Sequence, residues 1–326
     1  MAVDAEGREW ADAEVDDGWL RPAVAAGGVR REPRWGHPDG IQVGLHPLSG
    51  PRGLLRIYTP YLGHARERLL NFLAVEPIPA GSTERGYSEL ERSRLDDVPG
   101  LRMWSVDHPD DEQPHDPVEP ARGTVETGPD GVERLVVHVG VERFANGAHV
   151  GVTVTFRADR PHEFDVAAVA RADSTPLAVC VLSATMGNWA RLRRLELADG
   201  AAIASELWPD YRDVHFAPHA SFPLDRLRAD GEAVSVSAFP DEASPSEAVH
   251  AEGTAAHWQY SGERGVQTWI AADPDPALVA QVNGRHTYWM SEHAIPGGIA
   301  FENFELVEPF RQGRALTFRV EPMDAA

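Results

Sequence analysis

The residues of this sequence with the means to do chemistry are carboxylates and imidazoles set inside apolar, strand-like runs. A polar group in such a run is costly unless it is paired or faces a cleft. In Gly298-Ile-Ala-Phe-Glu-Asn-Phe-Glu305, a turn of two glycines leads into an apolar strand. If Ile299, Phe301 and Phe304 face a core, Glu302 is either paired or aimed into a cleft. A partly desolvated glutamate makes a good general base or acid. The competing reading is a buried ion pair with Arg191, Arg193 or Arg194. A second candidate is Trp208-Pro-Asp-Tyr-Arg-Asp-Val-His-Phe-Ala-Pro-His219. His215 and His219 are four apart, a spacing that on a helix suits a metal ion. Pro218 argues against a regular helix, which favours a loop carrying histidines and aromatics at a cleft mouth. Aromatic faces there suit sugar rings.

Three further groups have the same character. Asn71 and Glu76 interrupt Leu69-Leu-Asn-Phe-Leu-Ala-Val-Glu76. In Arg85-Gly-Tyr-Ser-Glu-Leu-Glu-Arg92, a strand would place Tyr87, Glu89 and Glu91 on one face. Two carboxylates that close push one proton affinity up, as an acid/base pair needs. A salt-bridged face with Arg85, Arg92 and Arg94 is the alternative. The third group is Asn283-Gly-Arg-His-Thr-Tyr-Trp-Met290 with Glu292 and His293.

The elements that must position these residues read as strands. Glycine (29) and proline (26) are spread along the chain and punctuate short apolar runs, the pattern of an all-β fold. The strongest local expectation is a β-hairpin over 132–157, with Asn146-Gly147 at its turn. Further strands are expected at 54–58, 164–170, 177–183, 233–239, 266–271, 298–306 and 315–320. Helical signals are few: 64–73 and 88–95 are ambiguous, and Asp275-Pro-Ala-Leu-Val-Ala-Gln-Val-Asn283 is the best helix, with Asp at the cap and Pro in the first turn. Residues 106–120 are acidic and proline-rich and read as a surface loop. The expected architecture is a large antiparallel β-sandwich spanning 19–322 as one domain, behind an acidic tail or peripheral helix over 1–18.

Composition narrows the function. The formal charge is −21, and all 30 basic residues are arginine. Such a surface repels phosphate backbones, so nucleic acid is not an expected partner. It equally disfavours an anionic membrane, and no apolar stretch is long enough to span one. The first residues lack the apolar core of a signal peptide, so the chain reads as cytoplasmic. The single cysteine, Cys180, excludes an intrachain disulfide framework and a cysteine-based zinc site. No phosphate-binding glycine loop, G-x-S-x-G elbow or His-Glu-x-x-His is present, and no cofactor is expected.

His286-Thr-Tyr-Trp289 and Gly298-x-x-x-Glu302 resemble motifs of the galactose-mutarotase-like β-sandwich group of carbohydrate-active proteins, which includes aldose epimerases and polysaccharide lyases. The resemblance implies a sugar-handling sandwich, with Glu302 as catalytic base, His286 as an acid or sugar-contacting histidine and His219 as the other histidine. The order is compressed relative to the epimerases, since only 16 positions separate His286 from Glu302. The function expected on these grounds is acid/base chemistry on a small carbohydrate, by epimerisation, β-elimination or hydrolysis. Glu89 is the expected partner carboxylate. Trp208, Tyr211 and Trp289 would stack on the sugar, and Arg193 or Arg285 would hold a carboxylate or hydroxyl. A non-catalytic sugar binder, a metal-dependent cupin-like sandwich using His215 and His219, and a homo-oligomer stay open as alternatives.

Overall fold

Short apolar runs between turns become strands almost throughout. The computed structural model describes residues 13–23, 32–46, 52–63, 71–111, 120–185, 191–240, 265–288 and 292–323. Strands take 51% of it and helix 4%, which makes the chain all-β. The described strands form two large antiparallel sheets, of ten and eleven strands, in a sandwich-like arrangement. The chain divides into two compact units. The first comprises Met1–Tyr58, Ala74–Cys180 and Phe310–Ala315; the second comprises Thr59–Leu73, Val181–Pro309 and Leu316–Ala326.

In the first unit, one sheet runs in sequence order through β1 (Glu14–Asp16), β2 (Trp19–Arg21), β3 (Arg34–Gly36), β4 (Gln42–Gly44), β5 (Leu54–Tyr58) and β6 (Asn71–Pro79), the last from Ala74 onward. β1 lies in the stretch expected as a tail, and residues 1–12 lie outside the described ones. The other sheet contains β7 (Met103–Val106), β8 (Thr124–Thr127), β9 (Glu133–Val141), β10 (Val150–Arg157) and β11 (Glu163–Ala170). Alternation in β9 and β10 buries Leu135, Val137, Val139, Val150, Val152, Val154 and Phe156 on one face, as a half-buried strand requires.

β9 and β10 are the expected hairpin, in register from Gly140↔Gly151 to Arg134↔Arg157. The turn differs from the two-residue type that Asn-Gly favours. The Gly147 amide donates to the Phe144 carbonyl (3.1 Å) and the Phe144 amide to the Ala148 carbonyl (2.9 Å). Only Gly147 has positive φ, at 90°. This is a three-residue loop closed by a bulged glycine. Asn146 is occupied instead by tertiary bonds: its side-chain amide donates to the carbonyls of Pro77 and Glu84.

The second unit holds the described part of β12 (Leu177–Thr185) from Val181 onward. It then adds β13 (Leu192–Leu197), β14 (Gly200–Ile203), α1 (Ala204–Leu207), β15 (Ala220–Pro223), β16 (Arg228–Asp230), β17 (Ala233–Pro240), β18 (Gly265–Ala271), β19 (Val279–Arg285), β20 (Ala300–Val307) and β21 (Ala315–Pro322, from Leu316). β12, β20, β19 and β15 lie side by side in one sheet; β14, β13, β17, β18 and β21 lie in the other, with β16 on β17. Trp269 of β18 is fully buried, packs edge-on against Phe318 and donates its indole N–H to the Phe304 carbonyl of β20 (2.9 Å). A buried indole needs such an acceptor, and this one ties the two layers together beneath β20.

Two expectations are corrected. The helix over 275–283 does not form. Asp275 closes a single turn by accepting the amides of Ala277 and Leu278, and the chain then enters β19, which pairs with both β15 and β20. Two flanking ladders outweigh a local cap. Residues 85–92 are turns and irregular chain instead of a strand, so Tyr87, Glu89 and Glu91 share no strand face. Of the ambiguous helical segments, 64–70 lies outside the described residues, as does 112–119 of the acidic loop.

Ser88 is the hub of that turn region. It is fully buried; its hydroxyl donates to the Gly53 carbonyl (2.6 Å) and accepts the Val75 amide (2.8 Å). Gly53 has φ 70°, and a Cβ there would stand 1.9 Å from the Ser88 carbonyl oxygen. Gly81 has a similar φ of 78° with nothing within 4 Å of its missing Cβ. Gly53→Ala is expected to cost about 3 kcal/mol or more, and Gly81→Ala only about 1 kcal/mol for the left-handed backbone. Urea unfolding midpoints check the difference; equal midpoints would show that the Gly53–Ser88 contact relaxes freely.

Candidate functional site

The polar face of β15, β19 and β20 in the second unit carries two of the side chains that the sequence singles out, His219 and Glu302. Along β20, strict alternation would put Glu302 on the same side as Phe304, in the core. The ladder with β19 breaks that alternation. Val282 pairs with Phe304 but Gly284 pairs with Phe301, so Asn283 alone faces both Glu302 and Asn303. The extra residue is a β-bulge. Phe301 and Phe304 are both fully buried, although they are three apart. Phe301 meets Trp208 edge-on at 6.1 Å. The bulge therefore turns Glu302 to the face opposite these rings. The Asn283 side-chain oxygen accepts the Asn303 amide (3.0 Å), satisfying an N–H that the bulge takes out of the ladder.

Register defines what else lies on that face. Ser221, Gln281 and Glu305 are aligned across β15, β19 and β20. Gln281 donates to the Ser221 hydroxyl (2.9 Å). His219, two residues before Ser221, extends the same side of β15. Its Nε2 is 3.7 Å from Oε1 of Glu305 and 3.4 Å from Nδ2 of Asn283. Glu305 is fully buried, whereas the His219 side chain is 36% exposed, so the imidazole stands between the carboxylate and solvent. Because the Asn283 oxygen is committed to Asn303, its amide nitrogen must face His219. Nε2 thus has a donor on one side and an acceptor on the other. A neutral imidazole can accept from Asn283 at 3.4 Å, whereas Glu305 at 3.7 Å stands at ion-pair distance from a charged one. That is the geometry of a proton-transfer group with both charge states accommodated.

Arg285, at the end of β19, sets the other side of the site. It is 6% exposed, and its guanidinium donates to the carbonyls of Val214 (3.0 Å), Thr287 (3.3 Å) and Tyr288 (3.4 Å). The guanidinium also lies over the Phe216 ring at 5.1 Å. Burial lowers its proton affinity, and the negative charge of Glu302 and then Tyr211 opposes that shift. Burial raises the Tyr211 hydroxyl, with Asp213 adding to the shift and Arg285 opposing it. Arg285 therefore holds the 214–216 loop and balances Glu302. It is not a guanidinium presented to solvent for a substrate carboxylate.

The remaining expected residues fall as follows. His286 is half-buried, and its Nδ1 is without a hydrogen-bond partner among the described residues; burial lowers its proton affinity and Arg212 adds to that. Trp208 is 9% exposed, donates to the Pro218 carbonyl (3.0 Å) and packs on Phe301, so it is a wall of the core beneath the loop. Arg193 of β13 is buried and donates to the carbonyls of Pro296 (2.6 Å), Gly298 (3.2 Å) and Ile299 (3.1 Å). It clamps the glycine turn that launches β20. Trp289 lies outside the described residues. Glu89 belongs to the first unit, as does Glu76, which is buried and ion-paired with Arg85. Glu91 accepts the backbone amides of Tyr87 and Ala145 and serves as a turn cap. The Asn71 side chain is outside the described part.

His215 is exposed and sits 4.0 Å from Asp213, whereas His219 turns to Glu305. Among the described residues no group of three or more histidine, cysteine, aspartate or glutamate side chains has the geometry to hold a metal ion. Nor is any described helix long and apolar enough to cross a membrane. Sequence reasoning passed over Glu305, Asn283 and Phe216. Glu302 and Glu305 are three apart, which in a regular strand puts them on opposite faces; only the bulge brings both to one. Phe216 is 37% exposed in the loop before His219, with the Arg285 guanidinium over its ring, and Tyr211 of the same run is half-buried. Comparison of the chain with models of known protein families, with curated proteins and with solved structures found no match.

The Arg193 clamp gives a stability test. Three charge-assisted hydrogen bonds to carbonyls are lost in Arg193→Ala, at an expected net cost of about 3–5 kcal/mol. Arg193→Lys keeps the charge but not the fork and should recover less than half. Denaturant unfolding of both variants measures this, and full recovery by lysine would show that charge, not geometry, holds the turn.

Proposed function

We propose that this protein is a carbohydrate-active enzyme that performs general acid/base chemistry on a sugar at the polar face of β15, β19 and β20. The observation that carries the reading is the His219 Nε2 placed 3.7 Å from the buried Glu305 carboxylate, beside a bulge that turns Glu302 to the same face. Glu302 acts as base toward a sugar hydroxyl or the carbon beside it. The His219 imidazolium gives one proton to a ring or glycosidic oxygen and becomes neutral, with the Glu305 carboxylate at ion-pair distance offsetting its charge before the transfer. Gln281, Ser221 and Asn303 offer hydroxyl-matching donors and acceptors on the same strands. The exposed ring of Phe216 supplies the apolar surface for a sugar face, the role that the sequence suggests for the buried Trp208. The resemblance of residues 286–289 and 298–302 to the galactose-mutarotase-like group supports the same substrate class.

A panel of mono- and oligosaccharides resolves the reaction. Polarimetry reports epimerisation, new reducing ends report hydrolysis, and ultraviolet absorbance reports unsaturated uronates from elimination. On whichever substrate turns over, Glu302→Gln and His219→Ala are each expected to lower kcat/KM by about 10²–10⁴-fold. Glu305→Gln should lower kcat by about tenfold or more through His219, with KM little changed. Full activity in folded Glu302→Gln removes Glu302 as the base. Sugar binding with no turnover in any assay would make the site a binding module.

A further inference from the structure

The first unit carries a second polar face of opposite charge. Trp35, Val43 and Ile57 are in register across β3, β4 and β5 and are buried at 1%, 2% and 0% exposure, so one face of these strands is core. The opposite face carries Arg34, Gly44 and Arg56, also in register. Gly44 puts no side chain between the two arginines. The Tyr58 ring leans over the gap: a Cβ on residue 44 would stand 3.1 Å from its Cε2. The Arg34 guanidinium lies 3.9 Å from the Tyr58 ring centroid, and among the described residues it has no ion pair. The Tyr58 hydroxyl donates to Glu32, which pairs with Arg56 at 3.2 Å.

His46 lies two residues beyond Gly44, just past the end of β4, and is half-buried. Its proton affinity is held down to about 3, by burial first and then by the charges of Arg56, Arg52 and Arg102. Arg52 grips Asp96 with two bonds from Nη1 (3.2 and 3.0 Å), and Arg102 stands 3.8 Å from the same carboxylate. The buried Nη2 of Arg52 has no hydrogen-bond partner among the described residues. Burial is the larger cause of that shift, and the guanidiniums add a positive field that favours an anion. In a chain of net charge −21, a local concentration of guanidiniums is also the reverse of the surrounding surface.

We infer that the face formed by Arg34, His46, Arg52 and Arg56 is a binding site for the oxyanion of a small molecule, a carboxylate or a phosphate. Arginine presents a planar fork that matches either group. Neutral His46 offers one ring N–H as a further donor, and the Tyr58 ring supplies an apolar wall. Arg34 makes the first contact, and the buried Nη2 of Arg52, which has no hydrogen-bond partner among the described residues, adds a donor from beneath. This site is independent of the acid/base face in the second unit, and neither reading requires the other.

The test is titration of the whole protein at low salt with inorganic phosphate, galacturonate and uncharged galactose, followed by calorimetry and by the His46 ring resonances. Phosphate, galacturonate or both should bind with a dissociation constant near or below ~1 mM and shift the His46 signals, while galactose leaves them unmoved. Binding should weaken several-fold when ionic strength rises from about 0.02 to 0.2 M. Arg34→Gln and Arg52→Gln should each weaken it about fivefold or more. If loss of the Asp96 pair unfolds the Arg52 variant, Arg34→Gln carries the test, since no ion pair is broken there. A phosphate-only response assigns phosphate esters as ligands, and a galacturonate-only response assigns sugar acids. The inference is overturned if neither anion moves His46 by about 20 mM, if galactose moves it equally, or if folded Arg34→Gln binds as the native protein does.

Discussion

The bond from the Asn303 amide to the Asn283 side chain holds the second unit's polar face in place. A bulge removes a backbone N–H from the ladder, and leaving it unpaired costs about 1–3 kcal/mol in a buried strand. Asn283 is itself 2% exposed, so it satisfies that amide where water has little access. Its oxygen is thereby fixed, and its amide nitrogen is aimed at His219. The same bond thus orients the imidazole and keeps Glu302 turned away from Phe301 and Phe304. Without the bulge, Glu302 would share the core side with Phe304; as placed it is 5% exposed, with the charge of buried Arg285 nearby.

Arginine without lysine shapes how the structure uses its positive charge. Arg193 and Arg285 are each buried and each bind three backbone carbonyls of irregular chain. An ammonium would reach one or two of these at a time. The guanidinium fork spans a turn, so two arginines with the look of substrate contacts in sequence are internal braces. One brace launches β20 and the other fixes the loop that bears Phe216 before His219. The backbone around Glu302 and His219 is therefore held by two buried cations.

The all-β class was legible because its signal is repeated: glycine and proline recur between apolar runs, and strands at 54–58, 164–170, 177–183 and 233–239 lie where those runs do. The hairpin of β9 and β10 was legible from its alternation, although its turn was not, because Asn146 is held by Pro77 and Glu84 from distant chain. The helix expected at 275–283 failed for a physical reason of the same kind. A cap and a proline favour one helical turn locally, but β19 gains a ladder on each side. Glu302 and His219 stood out because they broke apolar runs. Glu305 did not, since its role depends on a bulge that no short window of sequence reveals. Trp208 misled for the converse reason: a large ring beside histidines resembles a platform, yet its neighbours in space are Phe301 and Gly284.

The two polar faces show how one side chain acquires opposite duties from the sign of its surroundings. His219 has a carboxylate 3.7 Å from Nε2, so its charged form has a partner at ion-pair distance. His46 has its proton affinity held down by burial first and then by the charges of three arginines. The first environment suits a group that exchanges a proton, and the second suits a fixed donor to an anion. Both histidines border strands whose other face is core, so neither environment can relax by swinging the strand. The charge of each face is therefore set by which residues alternate outward, and in the second unit that alternation is reset once, at Asn283.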